Sequence, residues 1–313
     1  MNLDDYTFGV EVEFTGTTRS TAARAVAEVL HSSVSFDGGC YNAYSIRDSR
    51  GRIWKVMRDS SVASERKVNG RIVSAGDEYK CEFVTPILRY TDDMELLQEI
   101  IRAIRKVKGH VNSSCGLHVH IGAGRHTPRS LRNLVNIFKS KQDMLYKAIA
   151  VKPNRTNYCK KLEDEFVDRV NKHKPQTTEA FADDVYKNYG GYDSNRNIHY
   201  SSARYFGINF HSYYTKGTVE FRLFNSTLHA GWVRTFVILS IAMNNQAICQ
   251  SNASAKVTTS TNECFTFRTW LLRMGFIGDV YEVPRKLLLE KLEGNKAWRY
   301  GEPTGEIIRP NER

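Results

Sequence analysis

The sequence predicts an α+β fold, a curved and mainly antiparallel sheet backed by helices. Three observations carry the prediction. Segments such as "FGVEVEF" (8–14), "GLHVHIG" (116–122) and "TVEFRLFN" (218–225) alternate apolar and polar residues with the period of two that strands require. Longer segments, of which 92–109 is the clearest, carry helical patterning and end signals. The elements follow one another as β-α-β-β-α-β-α and then, after a polar stretch, β-β-α.

Taken in order, Phe8, Val10, Val12 and Phe14 put one apolar face on the first strand. Glu11 and Glu13 share the opposite face, about 7 Å apart by strand rise. "TTRSTAARAVAEVLHSS" (17–33) reads as a helix with Ala22, Val26, Val29 and Leu30 on its apolar side. Residues 51–62 and 78–88 read as strands, the second closed by Pro86. The helix at 92–109 has acids in its first turn, bases in its last and Gly109 as a stop. A short strand at 115–122 precedes a helix at 127–150, with Thr127 as N-cap and Pro128 at the first helical position. Residues 151–200 are polar and read as weak helices and a long loop, a candidate lid centred on Gly190–Asn197. Residues 204–213 and 218–227 read as a strand pair, 231–248 as a buried helix, and 264–275 and 284–294 as terminal helices. The organisation expected is a single catalytic domain over 1–313, with 151–200 as a polar insertion and 251–313 as a helical C-terminal extension.

Bulk properties narrow the classes. With 41% hydrophobic and 25% charged residues, the composition is that of a globular protein. The longest apolar run, "FVILSIAM" (236–243), is too short to span a bilayer and is bracketed by Arg234 and Asn244. The start, "MNLDDY", is acidic and polar and lacks a signal-peptide pattern, so a cytoplasmic protein is expected. Six scattered cysteines without a CxxC pair read as reduced thiols. Net charge is +11, and between Arg125 and Lys174 there are 13 Lys/Arg against 5 Asp/Glu, an excess of 8. That excess suits a phosphate, an acidic substrate or a nucleic acid, but a solvated helical face with excess lysine is favoured over nucleic-acid binding. No nucleic-acid-binding motif accompanies it, so nucleic acid is not the favoured partner.

The chemistry-bearing patterns repeat one device. His118 and His120 share a strand face opposite Leu117, Val119 and Ile121. Glu220 and Arg222 share a face opposite Val219, Phe221 and Leu223. Glu82 alternates with Cys81 and Phe83, with Glu78 at the same parity, and Asp59 closes "WKVMRD" as a substrate contact, a metal contact or a turn former. Each pattern alone also fits a solvated sheet face or a cross-strand ion pair. If the antiparallel strands share one common face, the groups converge into a basin. Carboxylates with histidine holding more than one Mg²⁺ or Mn²⁺ make a phosphoryl-transfer site, with Arg222 suited to a phosphate. The GxxxxGK[ST] phosphate loop is absent, so any ATP must be held otherwise.

"FGVEVEF", "CEFVTP", "GLHVHIG", "RYFGINF" and "VEFRLFN", in that order from Phe8 to about Met243, resemble the amidoligase family. These are carboxylate–amine ligases of the glutamine synthetase and glutamate–cysteine ligase fold. The resemblance implies a half-barrel sheet like that of the glutamine synthetase catalytic domain. It implies a reaction in which ATP phosphorylates a small-molecule or peptide carboxylate and an amine displaces phosphate from the acyl phosphate, releasing ADP. It also implies that Glu11 and Glu13 hold two different metal ions. Glu82 would share the ion of Glu13, and His118 and Glu220 would complete the ion near Glu11. His120 would lie near the phosphates, Arg222 would stabilise the transferring group, and Arg204 and Asn209 would line the nucleotide or substrate side. The chain departs from glutamine synthetase in beginning ExE at residue 11, without the small β-domain, which argues against a ring of shared sites and leaves the oligomeric state open.

Two other classes compete. A zinc-dependent hydrolase would use Cys115, His118 and His120, although Cys115 has the opposite strand parity to His118. A basic, non-catalytic binder of nucleic acid or another polyanion would use the 125–174 charge excess.

Overall fold

The computed structural model describes residues 1–300. The strands are β1 (Thr7–Phe14), β2 (Val34–Gly38), β3 (Ala43–Arg47), β4 (Ile53–Met57), β5 (Glu65–Val68), β6 (Arg71–Ser74), β7 (Cys81–Val84), β8 (Leu88–Arg89), β9 (Gly116–Gly122), β10 (Ile208–Asn209) and β11 (Thr218–Asn225). The helices are α1 (Arg19–Val29), α2 (Tyr90–Lys106), α3 (Pro128–Ala148), α4 (Asp164–His173), α5 (Thr178–Tyr186), α6 (His211–Lys216), α7 (Ala230–Cys249), α8 (Glu263–Arg273) and α9 (Glu282–Leu289). The fold is therefore α+β.

One sheet runs in the order β10-β11-β9-β1-β7-β4-β3-β2, with β8 also paired to β1. Every pairing is antiparallel. The sheet is open, since β10 and β2 stand at opposite ends. Its apolar face is the one the period predicts: Phe8, Val10, Val12 and Phe14 are at most 2% exposed. A continuous cluster of buried apolar side chains extends from Leu3 to Leu292. The helices α1 and α2 pack on each other, and α7 packs on α2, α3 and β9. The 231–248 helix is buried as expected, and its span is Ala230–Cys249. Among the described residues, no helix is long and apolar enough to cross a membrane.

The helix expected at 127–150 begins as its signals indicate. Thr127 accepts from Ser130 N, Ser130 reciprocates in a capping box, and Pro128 occupies the first turn. Most of the basic residues between Arg125 and Lys174 are exposed or half-buried, as a solvated face requires; Lys139 and Arg155 are buried, Lys139 with its ammonium 2.6 Å from Asp164.

Several boundaries differ from the sequence reading. The expected strand at 204–213 is only β10, because Asn209 Oδ1 accepts from His211 N (2.8 Å) and turns the chain into α6. The strand at 51–62 shrinks to β4, since Asp59 Oδ1 accepts from Ser61 N (2.7 Å) and closes a turn. The strand at 78–88 splits into a 3-10 turn at Asp77–Tyr79, β7, and the two-residue β8 beyond Pro86. Four strands lie outside the sequence reading: β2 and β3 at the sheet's far edge, and the separate hairpin β5–β6. The 151–200 stretch carries two formed helices, α4 and α5. All six cysteines are unbridged.

Candidate active site

The polar face of the central strands is assembled rung by rung. Across β1 and β7, Glu13 stands opposite Glu82; across β1 and β9, Glu11 stands opposite His118; across β9 and β11, His120 stands opposite Glu220. Period-two geometry then puts all six side chains on one side of the sheet. On β1 the partner of His120 is Gly9. The solvated-face reading fails here: Glu13, Glu82, His118, His120 and Glu220 are all buried, at 3–8% exposure.

The contacts are close. His118 Nδ1 lies 3.1 Å from Glu11 Oε2 and 3.6 Å from Glu220 Oε1, and its Nε2 is 3.8 Å from Glu13 Oε1. His120 Nε2 lies 3.3 Å from Glu11 Oε1 and 3.9 Å from Glu220 Oε1, while its Nδ1 faces the Thr218 hydroxyl at 3.0 Å. Gly116 N donates to Glu13 Oε2 (2.6 Å), and Asn209 Nδ2 donates to Glu220 Oε2 (2.6 Å). Arg222 Nη1 donates to Glu220 Oε1 at 2.5 Å. The β9–β11 register shifts between Phe221 and Phe224, and the irregularity is held by Arg155. That guanidinium, itself 3% exposed, donates to the carbonyls of Phe224 and Arg222.

Over this wall lies a cavity of about 960 Å³, at the upper end of the range for small-molecule sites. Glu11, Glu13, Glu82, His118, Glu220 and Arg222 line it, and Arg58, Asp59 and Ser61 form one side. Arg204 enters from the other side, its guanidinium 5.1 Å from the Tyr200 ring and 4.9 Å from the Tyr205 ring. The part of the 151–200 stretch that reaches the cavity includes His199 and Tyr200; the Gly190–Asn197 segment is not among the lining residues.

The charges are strongly unequal. Burial, then the negative charge of Asp59, pushes the Glu13 carboxyl up to about 8. Burial, followed by Glu11, Asp59 and Glu13, pushes Glu82 well above the usual carboxylate range. Burial also opposes charge on Glu11, but His120, the hydrogen bond from His118 and Lys216 outweigh it and hold this carboxyl well below its ordinary value. Glu220 is likewise buried, and Arg222 with the two imidazoles holds it at about 2. Burial and Arg222 press His118 down to about 4, which leaves it neutral and able to ligate.

Three overlapping groups place ligand atoms within 4.8 Å of one another: Glu11 with Glu82 and His118, Glu11 with His120 and Glu220, and Glu13 with Asp59 and Glu82. The donors are carboxylate oxygens with one imidazole or none, which suits hard divalent ions such as Mg²⁺ or Mn²⁺. His120 Nε2 and Arg222 Nε are buried without a hydrogen-bond partner, as an incomplete coordination and anion site leaves them. Glu11 is shared by the first two groups and Glu82 by the first and third, and His118 Nδ1 also lies near Glu220.

Of the residues singled out in the sequence, ten meet here: nine line the cavity, and His120 belongs to a ligand group with Glu11 and Glu220. Glu78 does not join them; it is exposed on the Asp77–Tyr79 turn. Cys115 belongs to none of the three groups; burial pushes its thiol up to about 11, and it donates to Asn112 Oδ1. That removes the Cys-His-His zinc arrangement. Sequence reasoning missed Lys216, whose ammonium is 2.9 Å from Glu11 Oε1, and Arg155. Neither sits in a strand pattern, so periodicity carries no signal for them.

A family model described as "Putative amidoligase enzyme" matches residues 4–244, from ahead of β1 into α7. No curated protein matches the chain.

Proposed function

The chain belongs to the amidoligase family, and on that premise we propose that it is an ATP-dependent, ADP-forming carboxylate–amine ligase working through an acyl phosphate. The observation that carries this reading is the convergence of Glu11, Glu13, Glu82, His118, His120 and Glu220 from four adjacent strands beneath one cavity, with Arg222 beside them. We further propose a sheet of the glutamine synthetase half-barrel type, one catalytic domain, and a cytoplasmic location.

In this reading a substrate carboxylate oxygen attacks the γ-phosphorus of ATP, and the bond to ADP breaks. An amine then attacks the acyl carbon, the amide forms, and inorganic phosphate leaves with the acyl oxygen. Phosphoryl transfer depends on positioning and charge neutralisation more than on covalent help. Glu11, Glu13, Glu82, His118, His120 and Glu220 would hold Mg²⁺ or Mn²⁺, which neutralise phosphate oxygens when bound. Arg222 stabilises the charge on the transferring group, oriented by Glu220 and by the backbone that Arg155 fixes. Arg204 and Asn209 bind on the nucleotide or substrate side, and Asp59 holds the amine. The tyrosines around Arg204 shield the acyl phosphate from water. The acid is a small molecule or peptide, and a polyanion such as nucleic acid is not the favoured partner.

Calorimetry of ATP binding with and without Mg²⁺, on wild type and on a Glu11→Ala/Glu220→Ala double variant, tests the reading. Metal-dependent binding lost in the double variant, followed by ADP release with an acid–amine pair, is the expected result. A folded wild type that binds no nucleotide in Mg²⁺ or Mn²⁺ would sink it.

A further inference from the structure

The basin contains a cation that belongs to none of the sequence motifs. Lys216 ends α6, where Gly217 takes a left-handed conformation (φ 65°) and turns the chain into β11. Its Nζ is 2.9 Å from Glu11 Oε1, and the same oxygen is 3.3 Å from His120 Nε2. Glu11, His120 and Glu220 are one of the groups whose ligand atoms cluster, so the ammonium stands at the edge of a cation position. Beside it, His120 Nε2 is buried and has no hydrogen-bond partner. The Lys216 side chain is 38% exposed, against 18% for Glu11, and it lines the cavity. A flexible four-carbon stem in that setting can swing the charge outward without moving the backbone.

We propose that Lys216 is a resident counter-cation: its ammonium holds the place beside Glu11, His120 and Glu220 that a divalent ion takes on loading, and the displaced ammonium then pairs with the phosphate chain of the nucleotide. The inference rests on the ligase reading of the basin. Two cations on one carboxylate oxygen repel each other, so metal and ammonium compete. A competitor that favours the metal-free state weakens metal binding, and its removal strengthens it. The same removal takes a positive charge from the cavity and weakens phosphate binding. A purely structural lysine would not move the two affinities in opposite directions.

The test is Mn²⁺ binding followed by electron paramagnetic resonance, then ADP binding in saturating Mn²⁺ by calorimetry, on wild type, Lys216→Met and Lys216→Arg. The expected result for Lys216→Met is Mn²⁺ binding about tenfold tighter and ADP binding about tenfold weaker, with Lys216→Arg close to wild type in both. Unchanged or weaker Mn²⁺ binding by a folded Lys216→Met overturns the proposal and leaves the ligase reading standing, provided wild type binds the ion. Unchanged ADP affinity overturns the transfer of the ammonium to the phosphates. No Mn²⁺ binding by any of the three proteins overturns both readings.

Discussion

Glu13 and Glu82 stand directly opposite one another on β1 and β7, both buried. Burial, then neighbouring carboxylates, pushes both groups up. Raised this far, both carboxyls are largely protonated near neutral pH, and taking up those protons on folding costs stability that a neutral amide does not, so replacing one should stabilise the metal-free protein. Glu82→Gln is expected to raise the melting temperature without metal by about 2 °C, from about 1 kcal/mol. It should also remove most of the rise that Mg²⁺ gives wild type. Thermal scans with and without Mg²⁺ check both, and a lower metal-free melting temperature would contradict the cost of burying the two carboxyls.

Arg222 donates to Glu220 and keeps its Nε unpartnered in the wall. Arg222→Lys retains a charge but loses the planar fork. Turnover, read as ADP release, is expected to fall about 10²- to 10³-fold, with Mn²⁺ affinity little changed. Equal losses in metal affinity and turnover would show that the guanidinium mainly builds the metal site.

Arg155 is a buried charge satisfied by two carbonyls of the irregular segment of β11. Arg155→Ala leaves those acceptors unpaired in the interior, at a cost of about 3 kcal/mol. Urea unfolding should show that loss. Without denaturant, at a temperature where the variant is folded, turnover should fall as well, since Arg222 loses its backbone support. A variant as stable as wild type would mean that the carbonyls find other donors.

His126 is buried between Ser130 Oγ (3.0 Å) and Asn244 Oδ1 (2.7 Å), and burial holds its imidazole below the usual range. The unfolded chain takes up a proton near pH 6.5 and the folded chain does so only at lower pH. Stability from this group is therefore complete above about pH 6.5 and is lost as pH falls below it, by at most about 1.4 kcal/mol per pH unit. Urea titrations at pH 7.5 and pH 5.5 should give a smaller difference for His126→Gln than for wild type. Equal differences would place the acid sensitivity elsewhere.

Cys115 is buried, with its thiol pushed up and hydrogen-bonded to Asn112. Cys115→Ser is expected to leave Mn²⁺ and Zn²⁺ binding unchanged. Loss of a tightly held Zn²⁺ from this variant, seen by elemental analysis, would revive the hydrolase alternative.

Strand parity makes the acids and histidines legible in the sequence, because one apolar face fixes the other. "VEVEF", "CEF", "HVH" and "VEFR" each declare which side their polar groups share. The pairing of strands is not legible there, and only the register decides that Glu220 faces His120. Lys216 lies at the end of a six-residue helix next to a stretch whose alternation reads as strand, so its direction cannot be inferred from period. Arg155 acts through backbone carbonyls, which leave no mark in side-chain patterns. The hairpin β5–β6 does carry a signal: Asn69-Gly70 sits between "RKV" and "RIV", and both residues have positive φ. The edge strand β2 and its neighbour β3 are short and partly exposed, so their alternation is weak.

The placement of β1 in the middle of the sheet also sets the order in which the chain can mature. β1 is made first, but its neighbour β9 comes about a hundred residues later and β11 a further hundred. Ser226 Oγ donates to Glu13 O across a separation of 213 residues, and Lys216 reaches Glu11 across 205. Closing such long loops precedes the contacts that reward it, so assembly should be slow. A nascent chain stopped short of β11 carries Glu11, Glu13, Glu82, His118 and His120 but lacks Glu220 and leaves the β9 edge unpaired, the state in which a sheet recruits strangers. Chaperone dependence during synthesis should accordingly end only when residues 218–225 have cleared the ribosome.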